Sequence, residues 1–196
     1  MLRTSKLSLS KIVMLIVASV FLVAFAGRAE RGDLSKRVWY HGQLTPFGEL
    51  LDKGVVPQCH DGMGRGMLTC YDTKEELAAA TGVDLTGVDR VAVEQLRSAG
   101  IVAQVQADWY ACLYDGLGLT GDSVLLWHDY TDLKEVLFDN ITSSIEIPGG
   151  AGYSSYYADS DYGGSSWAFC TTKADLGPYG LDNMISSVRK GYYPAP

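Results

Sequence analysis

Downstream of about residue 105 the apolar residues fall into short runs, 109–113, 123–127, 145–147, 154–157, 167–170 and 187–189, separated by clusters of Gly, Asp and Asn. Apolar and aromatic runs of this length, bounded by turn formers, predict strands, and their regular recurrence predicts a compact antiparallel sandwich. The pattern upstream is different. Residues 57–72 place Cys59 and Cys70 around Gly62, Gly64 and Gly66, ahead of the strand-like stretch 67–71, which predicts a looped hairpin. Thr73-Lys74-Glu75-Glu76 is a capping box: the Thr73 hydroxyl can accept from a free first-turn amide while Glu76 reaches back to the Thr73 amide. A short helix over 75–80, ending near Gly82, follows from it. Val88, Val91, Ala92, Gln95 and Leu96 at helical spacing, with Gly100 beyond, predict a second helix over about 88–98. Residues 27–56 mix charges, Gly and Pro with the small apolar groups 38–40 and 50–51, and read as a poorly structured arm that docks through those groups.

Within the β-rich half the chain repeats itself. Asp139-Asn140-Ile141-Thr142-Ser143-Ser144 returns as Asp182-Asn183-Met184-Ile185-Ser186-Ser187 after 43 residues. The same shift, without gaps, pairs Tyr114 with Tyr157, Gly121 with Gly164, Ser123 with Ser166, Asp132 with Asp175, Leu133 with Leu176 and Ile145 with Val188. A duplicated structural unit accounts for this register. Each copy has an aromatic followed seven residues later by glycine, and a serine 23 residues beyond that glycine. A folded hairpin needs a residue that tolerates positive φ or close backbone approach, which glycine supplies. A buried serine can then hydrogen-bond the hairpin that folds over it.

These two segments, about 108–147 and 152–190, resemble the paired Greek-key motifs of the βγ-crystallin superfamily, whose pattern is aromatic, four residues, aromatic, one residue, glycine, with a distant serine. Tyr157, Tyr162, Gly164 and Ser187 carry the whole pattern; Tyr114, Gly121 and Ser144 carry it with Leu119 at the second aromatic position. The resemblance implies a mainly β fold, two Greek keys forming a sandwich over 106–191; residues 27–105 lie outside it and read as a small irregular and α-helical extension with two short helices. It also implies an ion. In microbial members Asn/Asp-Asn/Asp-x-x-Ser/Thr-Ser is a calcium-binding signature, and both copies here satisfy it. Calcium takes six to eight oxygens from carboxylates, amides, hydroxyls, backbone carbonyls and water. By resemblance each of about two sites combines a side chain and backbone carbonyl of one repeat with the serine hydroxyl and hairpin carbonyl of the other. The side-chain candidates are Asp139, Asn140, Ser143, Asp182, Asn183 and Ser186; Ile141, Met184, Asp115 and Ala158 would give main-chain carbonyls. Few carboxylates per site imply moderate affinity. The alternative is that Asp-Asn and Ser-Ser only cap a turn, satisfying local backbone groups.

Arg3, Lys6 and Lys11, the apolar run 12–25 and the small residues of 24–26 make residues 1–26 a secretory signal peptide, with a second cleavage option after Ala29 and an uncleaved anchor as the alternative. The run falls short of the roughly 20 residues a bilayer span needs, so no stable membrane association is expected after cleavage. Removing 1–26 takes away three cations and moves the formal charge from −7 to −10. So acidic an exported chain repels phosphates and is not expected to bind nucleic acid. All four cysteines lie in the exported part, where two disulfides are the default. Of three connectivities, Cys59–Cys70 with Cys112–Cys170 is favoured, the latter as a link between repeats.

Other motifs carry less. Gly116-Leu117-Gly118-Leu119-Thr120-Gly121 spells the dinucleotide fingerprint, but that motif requires a helix after it, and a strand-like run follows here. Asn140-Ile141-Thr142 is a glycosylation sequon overlapping the proposed metal loop. His41, His60 and His128 are not spaced as a metal pair; Cys59-His60 near Cys70 could suggest zinc, but lacks a fourth ligand. No nucleophile elbow or usable triad order stands out, so no enzyme is expected, and together with what the resemblance implies this gives a secreted, non-enzymatic calcium-binding protein. A secreted proteinase inhibitor of crystallin-like fold, or a carbohydrate or cell-surface module using Tyr153, Tyr156 and Tyr192, are the alternatives; either would bring an extracellular protein or glycan partner.

Overall fold

The computed structural model describes residues 31–62, 66–100 and 109–191. The signal segment 1–26, both cleavage options, the boundary near 105 and Tyr192 lie outside the described residues. In chain order the elements are β1 (Arg37–Tyr40), β2 (Gln43–Pro46), α1 (Phe47–Asp52), β3 (Gln58–His60), β4 (Thr69–Tyr71), α2 (Lys74–Thr81), α3 (Arg90–Ser98), β5 (Ala111–Tyr114), β6 (Ser123–Leu126), β7 (Ser144–Glu146), β8 (Ser154–Tyr157), β9 (Ser166–Phe169) and β10 (Ser187–Lys190). Strand alternation sorts the side chains of β5 and β6 into two cores. Ala111, Leu113, Val124 and Leu126 join Ile145, Tyr156, Phe169 and Val188 between the sheets. Cys112, Tyr114 and Leu125 face the other way, into a second cluster with Leu77, Ala78, Ala79, Val83, Leu85 and Val93 of the helical segment. A strand buried on both faces must be apolar at nearly every position, which is why β5 and β6 read as unbroken apolar runs.

The strands form a seven-stranded sheet in the order β2-β1-β4-β3-β6-β5-β7 and a three-stranded sheet in the order β10-β8-β9. Two isolated bridges complete the Greek keys by exchange. Tyr130 of the first repeat pairs with Val188 of the second, and Lys173 of the second pairs with Ile145 of the first. Each repeat thus lends a short bridging segment to the other's sheet. The expected sandwich of two Greek keys is present, with one modification: the larger sheet is mixed, because β3 runs parallel to β6 and β1 parallel to β4.

That modification corrects the reading of residues 27–56 as a poorly structured arm. Residues 37–46 form the β1–β2 hairpin, and Trp39 N donates to Leu68 O at 2.9 Å. Val38, Phe47 and Leu50 are buried in the inter-sheet core. Their pairing is with strands some 30 residues away, so no local periodicity announces it. The hairpin around the cysteines forms as expected, with Cys59 opposite Cys70 in the β3–β4 register and bonded to it. The second expected disulfide does not form: Cys112 and Cys170 are free thiols, one buried and one exposed. Alternation explains this, since Cys112 points to the helix side of β5 while Cys170 follows β9 in the opposite sheet.

Both helices begin and end where their caps dictate. Thr73 Oγ1 accepts from Glu76 N at 3.2 Å, and Gly82 closes α2 at φ 78°. Glu76 reaches back one residue further than expected, accepting from Asp72 N at 2.9 Å. Asp89 caps α3 by accepting from Val91 N, and Gly100 lies beyond its end at φ 106°. Of the tyrosines expected on the surface, Tyr153 is exposed, whereas Tyr156 is wholly buried between the sheets. Its place on β8 opposite Trp167 turns it inward.

Candidate functional site

The folded hairpins set the floor on which the Asp-Asn loops lie. Ser144 Oγ donates to Gly116 O at 2.6 Å and accepts from Leu119 N at 3.0 Å. Ser187 Oγ donates to Asp159 O at 2.7 Å and accepts from Tyr162 N at 3.1 Å. Both serines are fully buried, so each satisfies two backbone groups of a hairpin folded onto the sheet. Gly121 and Gly164 sit at φ 80° and 72°, and a side chain at either would run into Asp115 or Asp159. At the position where the second repeat has Tyr162, packed 5.5 Å from the Tyr157 ring, the first has Leu119, buried and in the same left-handed conformation. Tyr114 therefore finds other company: its hydroxyl donates to Glu146 at 2.7 Å, and Lys74 Nζ lies 4.2 Å from its ring centre.

The two Asp-Asn-x-x-Ser-Ser loops cross. Asn140 N donates to Ile185 O and Asn183 N donates to Thr142 O, both at 2.9 Å. Asn140 and Asn183 adopt φ 53° and 57°, a region asparagine enters more readily than most residues. Ser143 N and Ser186 N donate to Tyr114 O and Tyr157 O, which brings each serine beside the residue after the hairpin aromatic, Asp115 or Ala158. The side chains then meet across the repeats. Ser143 Oγ donates to Asp182 Oδ1 at 2.6 Å, and Ser186 Oγ donates to Asn140 Oδ1 at 3.2 Å. Asn183 Nδ2 donates to Asp182 at 3.2 Å, and Asn140 Nδ2 to Asp139 at 3.3 Å. All ten residues expected from the sequence thus lie on two crossed loops and the hairpin starts beneath them. Ile141 is buried and Met184 half exposed.

The two crossings are not equivalent. At one, Ser143 meets a carboxylate on an exposed residue, Asp182; at the other, Ser186 meets an amide, and the neighbouring carboxylate, Asp139, is only 4% exposed. Asp139 Oδ1 is buried with no hydrogen-bond partner, while Lys134 Nζ stands 3.8 Å from Oδ2. Donor chemistry at both crossings is hydroxyl, amide and carboxylate oxygen, which suits a hard cation. Among the described residues no three His, Cys, Asp or Glu side chains form a cluster able to hold a metal, so these loops could offer an ion few carboxylates.

Sequence reading missed a clamp on the first hairpin. Arg31 donates to both Asp115 and Asp122. Burial pushes the Asp122 carboxyl up to about 6; Arg31 opposes the shift, and the Asp115 charge adds to it. Asp115 is also raised, by burial first. The second repeat has Ala158 and Ser165 at these positions and no such pair. Two carboxylates flanking a tight hairpin were the available signal, but their partner lies over 80 residues away. His60 and Cys112 are also buried. Burial brings His60 down to about 4, with Asp61 opposing, and raises Cys112 to about 12. With Cys59 in a disulfide, the zinc reading of Cys59-His60-Cys70 has no thiolate ligands. The fingerprint-like segment 116–121 is the turn between β5 and β6, with no helix to receive a pyrophosphate.

The architecture defines a paired Greek-key sandwich with exchanged bridging segments, serine-locked hairpins and crossed Asp-Asn loops. Solved βγ-crystallin domains are similar to it. A beta gamma crystallin from Ciona intestinalis is 24% identical over 41% of this chain and 96% of its own, with a TM-score of 0.38. A betagamma-crystallin from an archaeon is 24% identical over 42% and 96%, at 0.36. A betagamma-crystallin domain from Clostridium beijerinckii is 19% identical over 41% and 94%, at 0.36. Each likeness spans under half of this chain. No protein-family model and no curated protein sequence matches it.

Proposed function

We propose that this is an exported, non-enzymatic protein whose crossed loops bind two calcium ions, and that the ions stabilise the fold by tying the repeats together. The observation that carries the reading is the reciprocal meeting of Ser143 with Asp182 and of Ser186 with Asn140. One ion would be held by Ser143 and Asp182 with the carbonyls of Asp115 and Met184. The other would take Ser186 and Asn140 with the carbonyls of Ala158 and Ile141, and Asp139 beside them. Calcium supplies a cross-repeat link of oxygen contacts; the chain's part is to hold the donors in place, which the left-handed asparagines and buried serines do without it. Export is supported by the Cys59–Cys70 disulfide, a bond that persists in oxidising compartments.

Any ligand that binds only the folded state stabilises it by mass action, by about 2.7 kcal/mol per site at a hundredfold excess over Kd. Thermal unfolding of the mature chain in calcium and in chelator tests the reading. A midpoint several degrees higher in calcium is expected; equal midpoints with no heat of binding in calorimetry would remove it.

A further inference from the structure

The two crossed loops share their pattern, but their surroundings carry different charges. Lys134 is the second residue of a 3₁₀ turn, Leu133–Val136, whose position is fixed by burial of Leu133 and Val136. That turn is bound directly to the loop, since Leu133 N donates to Ser186 O at 2.8 Å. The Lys134 ammonium thereby stands 3.8 Å from Asp139, the buried carboxylate next to Asn140. In the second repeat Leu176 N makes the equivalent bond to Ser143 O at 3.0 Å, and the residue after it, in register with Lys134, is Gly177. One crossing therefore has a lysine beside its carboxylate where the other has a glycine.

We propose that Lys134 is an intrinsic competitor for the Asn140–Ser186 site, making it the weaker of two unequal calcium sites. An arriving divalent ion needs the electron density of Asp139, whose buried Oδ1 has no partner. Lys134 neutralises part of that density and repels the ion. Its side chain is largely exposed, so the competition is partial and weakens as salt screens it. The Ser143–Asp182 site, with a carboxylate in the crossing and glycine in place of lysine, fills first.

The inference rests on the calcium reading above, and one titration series separates the two. The mature chain and its Lys134→Gln variant are titrated with calcium by calorimetry at low and high salt, with Lys53→Gln, whose exposed ammonium pairs with Glu49, as a charge control. The parent is expected to show two steps. Lys134→Gln tightens the weaker step roughly two- to fivefold at low salt, less at high salt, and leaves the tighter step alone; an exposed ion pair and its removal have effects of about this size. Lys53→Gln changes neither. Adding Ser186→Ala to Lys134→Gln abolishes the step that had moved. If Lys134→Gln leaves the two steps as they were, or shifts both equally, the competitor role is wrong while calcium binding stands. If neither protein takes up calcium, the underlying reading fails and this one with it.

Discussion

Strand β6 of the first repeat carries β3 along its outer edge and the helical segment across its outer face, whereas β9, its counterpart in the second repeat, ends its sheet among the described residues. The inward positions are apolar in both copies: Leu113 and Tyr156, Val124 and Trp167, Leu126 and Phe169, Ile145 and Val188. The outward positions diverge, with Cys112 and Leu125 in the first copy against Ser155 and Ala168 in the second. One backbone plan thus serves as a central strand or an edge strand, and the choice is recorded in alternate residues only. Charge diverges in the same manner: Arg31 clamps the first hairpin and Lys134 faces the first loop, with no equivalents in the second copy.

Substitution at paired positions should expose this asymmetry. Leu125→Ala removes a fully buried side chain beneath the helices and should cost about 3 kcal/mol in denaturant unfolding. Ala168→Ser, in register with it on the half-exposed strand, should change stability by less than about 0.5 kcal/mol. Similar costs would mean that the outer face of the first repeat is not a core.

Arg31→Ala should come next, at about 2 kcal/mol near pH 7.5, because it strands two largely buried carboxylates, though their partial exposure softens the penalty. The sign of its pH dependence follows from Asp122. Its folded value of about 6 lies above the 3.8 of a free aspartate. The folded state therefore keeps a proton that the unfolded chain has lost between those values, and stability from this group declines as pH rises through about 6. Arg31 limits that decline, so the variant should lose more at pH 7.5 than at pH 4.5. A loss independent of pH would contradict the clamp. A smaller loss than that of Arg31→Ala, and an equal one in the two repeats, is expected for Ser144→Ala and Ser187→Ala, about 1.5 kcal/mol each, since each removes the equivalent two hydrogen bonds from a buried hairpin. Unequal losses would show that the hairpins are not held alike.

The repeated half was legible in the sequence because its requirements are local. Glycine at positive φ, a buried serine 23 residues on and alternating inward side chains leave their mark on each segment separately, and so did the capping box at Thr73. The loop residues were found for the same reason, through a six-residue pattern seen twice. What escaped reading depends on distant partners. The β1–β2 hairpin owes its place to parallel pairing with β4, and Arg31 meets its carboxylates across 84 and 91 residues. Cys112 and Cys170 could be counted but not aimed, because the side of β5 that Cys112 faces is decided by the helices covering it.

The central claim, that the crossed loops are two cation sites each shared between repeats, is tested most directly by calcium titration of Ser143→Ala, Ser186→Ala and the double variant. Each single variant should lose one of two binding steps and the double variant both, while the fold survives in each. Two intact steps in the double variant would contradict the account.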